Sequence, residues 1–219
     1  MSAPTTSEST QDAARAHGSS LQRLVGRHSW ALLINGDCLE ELPQIKCDAV
    51  VCDPPYGVTK LEWDCLVKPE WVKACLEVTS GPVVMVNAAR PDVMAHMLSL
   101  GPNRVIAWRQ PKAKAGTGLF WTWQPIYVWR GNAMTGWDTV EMPVDGNYQH
   151  PTQKPVNLMA WLINRIGEAE TICDPFMGSG TTGVACARMH RNFIGIERDA
   201  AHYATAVERI RQELDGALL

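Results

Sequence analysis

The chain has 219 residues, of which 46% are hydrophobic and 20% are charged, and its formal net charge is −3 at pH 7. This length and apolar content predict a globular domain with a substantial core and exclude an intrinsically disordered chain. No apolar run reaches the roughly 20 residues of a membrane span, and the N-terminus lacks the pattern of a signal peptide. Seven cysteines without a Cys-x-x-Cys pair favour reduced thiols, and hence a cytoplasmic location, over disulfides or a zinc site.

The first 28 residues are polar and poor in large apolar side chains. They predict a flexible tail, with a short helical piece as an alternative for residues 20–26, followed by a single domain over residues 29–219. Trp30 to Ile34 then predicts a strand. Asp37 follows that strand at the start of a helix, where it is expected to act as the cap.

The next apolar run, Ala49 to Cys52, ends abruptly at the tetrapeptide Asp53-Pro54-Pro55-Tyr56. The run indicates a short buried strand, which the prolines must end because they lack backbone donors. Asp53 and Tyr56 are therefore expected at the carboxyl end of a strand, where open α/β sheets bind ligands. A carboxylate, free carbonyls and an aromatic ring can together hold a flat ring that carries an exocyclic amine. A plain strand-ending turn is the alternative.

Strands are also predicted at residues 83–86, 104–108 and 125–129, and the last two are expected to pair antiparallel across a basic loop. No acid occurs between Asp92 and Asp138, so this stretch could neutralise phosphates on an otherwise acidic protein. An ordinary solvated loop is the alternative. The cations expected to contact nucleic acid are Lys60, Arg109, Lys112, Lys114 and Arg130.

The last third of the chain repeats the pattern of a strand followed by an acid. Residues 171–173 predict a short strand, and the segment 174–183 (DPFMGSGTTG) follows it. Its glycines allow close backbone approach, and free amides at the start of the next helix favour a carboxylate or phosphate. A further strand ends at Glu197, at about the 20-residue spacing at which an acid typically holds ribose hydroxyls.

Jointly, the tetrapeptide and the glycine loop resemble the motifs of the DNA amino-methyltransferases, which transfer a methyl group from S-adenosylmethionine to an exocyclic nitrogen of adenine or cytosine. The motif order is similar to the β group of that family, and the resemblance covers roughly residues 30–212. It implies a Rossmann-like α/β fold with a seven-stranded mixed sheet and helices on both faces. The cofactor would lie across the switch point between the two halves of the sheet. No metal is implied, because a sulfonium is already a good leaving group.

The resemblance also implies individual roles. Asp53 and the Pro54 carbonyl would accept the hydrogens of the target amine, and Tyr56 would stack on the extruded base. Asp174 would bind the methionine ammonium, and Lys154 would help to hold the carboxylate. The residues expected to contact the cofactor are Asp37, Cys38, Asp53, Thr152, Lys154, Asp174, Phe176, Gly178, Ser179, Gly180, Thr181, Thr182, Glu197 and Arg198.

Residues 110–123 and 131–149 are the expected DNA-contacting and target-recognition loops. The second loop is far shorter than a separate recognition domain. This predicts a short or relaxed recognition sequence in double-stranded DNA, or a homodimer that supplies the missing contacts. A restriction–modification enzyme and a solitary phage-borne enzyme both fit this size.

Asp at position 53 is typical of enzymes that act on adenine N6, whereas cytosine N4 enzymes more often carry Ser there. Alternative functions are methylation of cytosine N4, of RNA or of a protein glutamine, the last usually with Asn in place of Asp53. A catalytically idle subunit that binds cofactor and DNA is the non-enzymatic alternative, and the intact motifs argue against it. One departure from the family pattern is the missing acid where residues 123–125 begin a strand.

Overall fold

The computed structural model describes residues 19–60, 64–110, 122–143 and 154–216, and these residues form nine strands and six α-helices. The strands are β1 (Ser20–Val25), β2 (Trp30–Asn35), β3 (Ala49–Cys52), β4 (Val83–Val86), β5 (Arg104–Arg109), β6 (Trp123–Trp129), β7 (Thr139–Glu141), β8 (Thr171–Asp174) and β9 (Asn192–Glu197). The helices are α1 (Cys38–Glu41), α2 (Pro69–Val78), α3 (Pro91–Ser99), α4 (Val156–Arg165), α5 (Thr181–Arg188) and α6 (Ala200–Gly216). Short 3₁₀ turns lie at Leu42–Gln44 and Gly131–Ala133.

Within the described residues the strands form one mixed sheet in the order β1-β2-β9-β8-β3-β4-β6-β5-β7. The central strands β2, β9, β8, β3 and β4 are parallel, so their carboxyl ends meet at one edge of the sheet. Strand β6 runs antiparallel to both β4 and β5. From the adjacent strands β3 and β8 the chain continues in opposite directions across the sheet, which opens a crevice between them at the carboxyl edge.

Both faces of the sheet are covered, as the resemblance implied. Alternate residues of β3 enter different cores: Ala49 and Val51 pack with the helices α4, α5 and α6, and Val50 and Cys52 pack with α1, α2 and α3. All four side chains are fully buried. Near-continuous apolar strands of this kind are typical of parallel sheets with helices on both faces.

The fold class and the division of the sheet into two halves are confirmed, but the sheet has nine strands among the described residues rather than seven. The segment Ser20–Val25, which the sequence analysis placed in a flexible tail or a short helix, is the edge strand β1 and pairs antiparallel with β2. This strand could not be recognised from its polar composition, because a strand at the edge of a sheet buries few side chains. In β1 only Leu24 is buried. The second additional strand, β7, has three residues and pairs with β5.

No helix in the described part of the chain is long and apolar enough to cross a membrane.

Candidate active site

A cavity of about 590 Å³ lies at the carboxyl edge of the sheet, over the crevice between β3 and β8. This volume is in the range typical of cofactor and small-ligand sites. Residues from the first and last thirds of the chain line the cavity together. Of the expected catalytic and cofactor residues, those that line it are Asp37, Cys38, Asp53, Pro54, Pro55, Tyr56, Lys154, Asp174, Phe176, Gly178, Ser179, Thr181, Thr182, Glu197 and Arg198.

The carboxylate of Asp53 is the centre of a polar cluster directly after β3. One oxygen accepts a hydrogen bond from the Tyr56 hydroxyl, and the other lies 2.9 Å from Lys154 Nζ. The Lys154 ammonium also lies 4.8 Å from the centre of the Tyr56 ring. Burial first, and the adjacent Asp53 second, raise the pKa of the Tyr56 phenol, so the hydroxyl is a donor at neutral pH. Lys154, expected on the cofactor carboxylate, therefore contacts Asp53, the expected catalytic acid.

The loop after the tetrapeptide wraps around the carboxylate of Asp64. Its Oδ1 accepts from the backbone N–H groups of Tyr56 and Gly57, both at 2.7 Å. Its Oδ2 accepts from those of Val58 and Thr59, at 2.9 and 2.6 Å. Partial burial raises the pKa of this carboxyl, but the hydrogen bonds from Thr59 and the backbone outweigh it and lower the pKa overall. Asp64 was not among the site residues expected from the sequence, although an acid shortly after a glycine-containing loop is a usable signal.

Asp174, at the end of β8, is the buried acid of the cavity. It is only 2% exposed. Its Oδ2 accepts from Thr182 Oγ1 at 2.6 Å, and its Oδ1 accepts from the backbone N–H of Phe176 at 3.0 Å. Burial raises the pKa of Asp174 to about 7, with smaller contributions in the same direction from Asp53 and Glu197 that oppose these hydrogen bonds. A cation beside this carboxyl would favour its ionised form.

The glycine loop between β8 and α5 uses left-handed backbone at two positions, Gly178 (φ 53°) and Gly180 (φ 84°). Gly180 does not line the cavity. It caps α5, and a Cβ there would lie 2.9 Å from the Cβ of Ala206, so the glycine permits close packing against α6. The Glu197 carboxylate accepts from the backbone N–H of Gly178 and of Asp199, each at 2.8 Å. The expected ribose acid thus shapes the loop as well as lining the cavity.

Asp37, Cys38 and Trp71 also line the cavity. Asp37 accepts from the backbone N–H of Leu39 at 2.9 Å, so the predicted capping role is confirmed, and its side chain also lines the cavity. Burial, and the neighbouring Asp37, raise the pKa of the Cys38 thiol to about 12, which keeps it neutral. Trp71 of α2 also lines the cavity, with its ring centre 4.9 Å from that of Phe176.

The predicted DNA-contacting cations are not all brought together. Arg109 lies at the carboxyl end of β5, where its guanidinium is 2.9 Å from Glu141 and 62% of its side chain is exposed. Lys60 is exposed and directly follows the cavity residue Thr59. Lys112, Lys114 and Thr152 lie outside the described residues, as do residues 111–121 of the first predicted DNA-contacting loop and residues 144–149 of the second.

Arg130 is at the opposite edge of the sheet, because the antiparallel strand β6 carries the chain away from the cavity. Its guanidinium donates to the backbone carbonyls of Leu76 and Thr79, which fixes the end of α2. Arg130 was expected among the nucleic-acid contacts, but its guanidinium lies at the far edge of the sheet from the cavity and binds these carbonyls instead, so this expectation is corrected. For the same reason residues 131–138, the start of the predicted target-recognition loop, lie away from the cavity, and β7 then leads back toward it.

Comparison with known sequences supports one family. Residues 94–208, just over half of the chain, match the model of the N6/N4 DNA methylase family. The type II methyltransferase M.HindIII of Haemophilus influenzae is 33% identical over an alignment of 120 residues that covers 48% of this chain and 39% of that protein. The type II methyltransferase M2.MboI of Moraxella bovis is 40% identical over 73 residues, 33% of this chain and 24% of that protein. The matches thus span well under half of either relative.

Solved structures share the fold. The crystal structure of an M1.HpyAVI–SAM complex has a TM-score of 0.61 at 24% identity, covering 82% of this chain and 99% of that one. The PvuII DNA methyltransferase, described as cytosine-N4-specific, has a TM-score of 0.61 at 18% identity, covering 86% and 92%. Sequence match, fold and motif positions agree, and the chain belongs to the N6/N4 DNA methylase family.

Proposed function

We propose that the protein is a DNA methyltransferase that moves a methyl group from S-adenosylmethionine to the N6 amine of an adenine extruded from double-stranded DNA. The observation that carries the proposal is that one cavity joins the Asp53 tetrapeptide to the Asp174 glycine loop. The first supplies acceptors for an amine, and the second supplies a buried acid and a helix N-terminus. Neither motif alone would support transfer between two ligands.

The residues of the cavity fit S-adenosylmethionine. Asp174 is buried and its pKa of about 7 leaves it ready to ionise beside the methionine ammonium. Glu197 and Asp37 line the same cavity, and we assign Glu197 to the ribose hydroxyls and Asp37 to the adenine amine. The rings of Phe176 and Trp71 supply apolar contact area for the adenosine. When bound, the cofactor supplies an electrophilic methyl group on a sulfonium.

The chain's own contribution to the chemistry is to orient the target amine. Its lone pair is delocalised into the base, so acceptors that bind both amine hydrogens favour a more nucleophilic nitrogen and the charge that develops on it. Asp53 and the Pro54 carbonyl are these acceptors, and the Tyr56 ring offers a stacking face for the extruded base. Extrusion costs a few kcal/mol, and stacking on an aromatic ring returns about 1–3 kcal/mol.

Lys154 holds the Asp53 carboxylate in this orientation. Its ammonium already contacts one oxygen of Asp53, which the target amine would use, and the face of Tyr56, on which the base would stack. We therefore propose that Lys154 fixes the Asp53 carboxylate before substrate arrives and shares it with the target amine afterwards.

Lys60 and Arg109 are the proposed phosphate contacts on the described part of this edge of the sheet.

Adenine is favoured over cytosine by the Asp at position 53. The PvuII enzyme shows that a cytosine-N4-specific protein shares this fold, so cytosine N4 is the second candidate. The matched family model, which is described as a DNA methylase, favours DNA over RNA as the substrate. A homodimer is proposed as the way to extend a short recognition segment, and sedimentation of the protein on its site would test it.

The deciding experiment is tritium transfer from labelled S-adenosylmethionine to plasmid DNA or structured RNA, followed by digestion to nucleosides and mass spectrometry. We expect label in N6-methyladenine from DNA. Label in N4-methylcytosine, in RNA, or in neither nucleic acid would overturn the adenine, the DNA or the enzymatic part of the proposal, respectively. Single-molecule sequencing of DNA from expressing cells would then identify the methylated site.

A further inference from the structure

The backbone that follows the catalytic tetrapeptide is held by one side chain. Four consecutive N–H groups, from Tyr56 to Thr59, point at the two oxygens of Asp64 over distances of 2.6 to 2.9 Å. Successive N–H groups that converge in this way form a concave anion-binding turn. Asp64 thus supplies from within the chain the negative charge that such a turn binds.

Gly57 allows this turn to pack closely against the segment that contains Asp64. Its backbone is left-handed (φ 69°), and a Cβ there would lie 2.9 Å from the backbone nitrogen of Leu66. The segment that contains Asp64 therefore packs directly against the turn that it binds. The carboxylate and the glycine fix one backbone shape between them.

This shape reaches the catalytic acid through Tyr56. The Tyr56 N–H is bound by Asp64, and the Tyr56 hydroxyl is bound by Asp53. Tyr56 is thus held at its backbone by one acid and at its side-chain tip by the other. If the backbone contact were lost, the ring and the carbonyls of the tetrapeptide could take other orientations in the cavity that Asp64 also lines.

We propose that Asp64 is a positioning residue for methyl transfer, which orients Asp53, the Pro54 carbonyl and the Tyr56 ring toward one substrate amine. The inference rests on the proposed function, because it needs a substrate at the tetrapeptide. A displacement of about 1 Å in such a group can lower a rate about 100-fold, so the loss should fall on kcat.

Asp48 provides a matched control. Its Oδ2 also accepts from two backbone N–H groups, those of Glu170 and Thr171, at 3.0 and 2.8 Å. It precedes β3 and so lies at the edge of the sheet opposite the cavity. Replacing Asp48 should lower stability without changing the geometry of the tetrapeptide.

The experiment compares Asp64→Asn, Asp64→Glu and Asp48→Asn in kcat and KM for DNA, in the Kd for S-adenosylmethionine and in Tm. Asparagine keeps the shape of the side chain but sets an NH₂ group against backbone donors. We expect Asp64→Asn to lower kcat about 10- to 100-fold with cofactor Kd within about threefold of wild type. Asp64→Glu should restore part of the rate, and Asp48→Asn should lower Tm at unchanged kcat.

The outcomes separate the inference from the proposed function. A wild-type protein that methylates no nucleic acid overturns both. An active wild type with normal kcat in Asp64→Asn overturns the inference alone, as does a loss of kcat matched by Asp48→Asn or by an equal loss of cofactor affinity. If Asp64→Asn does not fold, Thr59→Val removes one side-chain donor to Asp64 and should lower kcat about threefold. Unchanged kcat in that variant would also overturn the inference.

Discussion

The affinity for S-adenosylmethionine should depend on the protonation of Asp174. Burial raises the pKa of this carboxyl to about 7, and its oxygens already accept from Thr182 and from the backbone of Phe176. The neutral acid predominates below pH 7 and the carboxylate above it. Only the carboxylate pairs well with the methionine ammonium, so the cofactor should bind more tightly as the pH rises through 7.

The size of the effect follows from the pKa. With a value of about 7, roughly one Asp174 in eleven is ionised at pH 6 and ten in eleven at pH 8. If only the ionised form binds, the apparent Kd should fall about tenfold between these pH values, which corresponds to about 1.4 kcal/mol.

The stability of the ligand-free protein should fall, not rise, as the pH increases. Because the folded state holds the proton more tightly, the stability gained from the neutral acid is complete below about pH 4 and is lost as the pH rises through 7.

Calorimetric titration of the protein with S-adenosylmethionine at pH 6 and pH 8 tests this directly. The control is Asp174→Asn, which keeps acceptor and size but cannot ionise. It should bind more weakly than wild type at pH 8 and show little dependence on pH. A wild-type affinity that is flat between pH 6 and 8, or an equal slope in Asp174→Asn, would refute the assignment of Asp174 to the ammonium.

Three further variants test other parts of the account. Lys154→Met removes one member of an ion pair whose side chains are 7% and 24% exposed. It should lower stability by about 2 kcal/mol and Tm by roughly 4–8 °C in a calorimetric scan, and an unchanged Tm would contradict this reasoning. Gly195→Ala would place a Cβ against Met177 Sδ and 2.6 Å from the Phe193 ring, so the urea midpoint should fall by the equivalent of about 1–3 kcal/mol. An unshifted midpoint would mean that the packing around Gly195 is looser. Arg109→Ala should raise the KM for DNA and reduce the salt slope of binding by about one, and an identical slope would exclude a phosphate contact.

The parallel core of the sheet could be predicted from sequence because its signals are local. Apolar runs that end at Asp53, Asp174 and Glu197 mark strands, and parallel strands present their carboxyl ends at one edge. The meeting of these acids in one cavity follows from that geometry alone. The edge strand β1 could not be recognised in the same way, since its polar side chains give no pattern of burial.

Contacts that depend on the path of a loop were also beyond prediction. The pairing of Lys154 with Asp53 joins residues 101 positions apart, and the convergence of four amides on Asp64 requires the whole turn. The position of Arg130, by contrast, could have been predicted. The strand before it, β6, was expected to be antiparallel to β5, and that direction alone places Arg130 at the edge of the sheet away from the cavity.

The central claim is that Asp53 acts on the target amine and not on the cofactor. Asp53→Ala should therefore be measured for methyl transfer to DNA and, in the same preparation, for binding of S-adenosylmethionine. The account predicts that transfer falls at least about 1000-fold while the Kd for the cofactor stays within about threefold. Transfer at the wild-type rate would contradict the account.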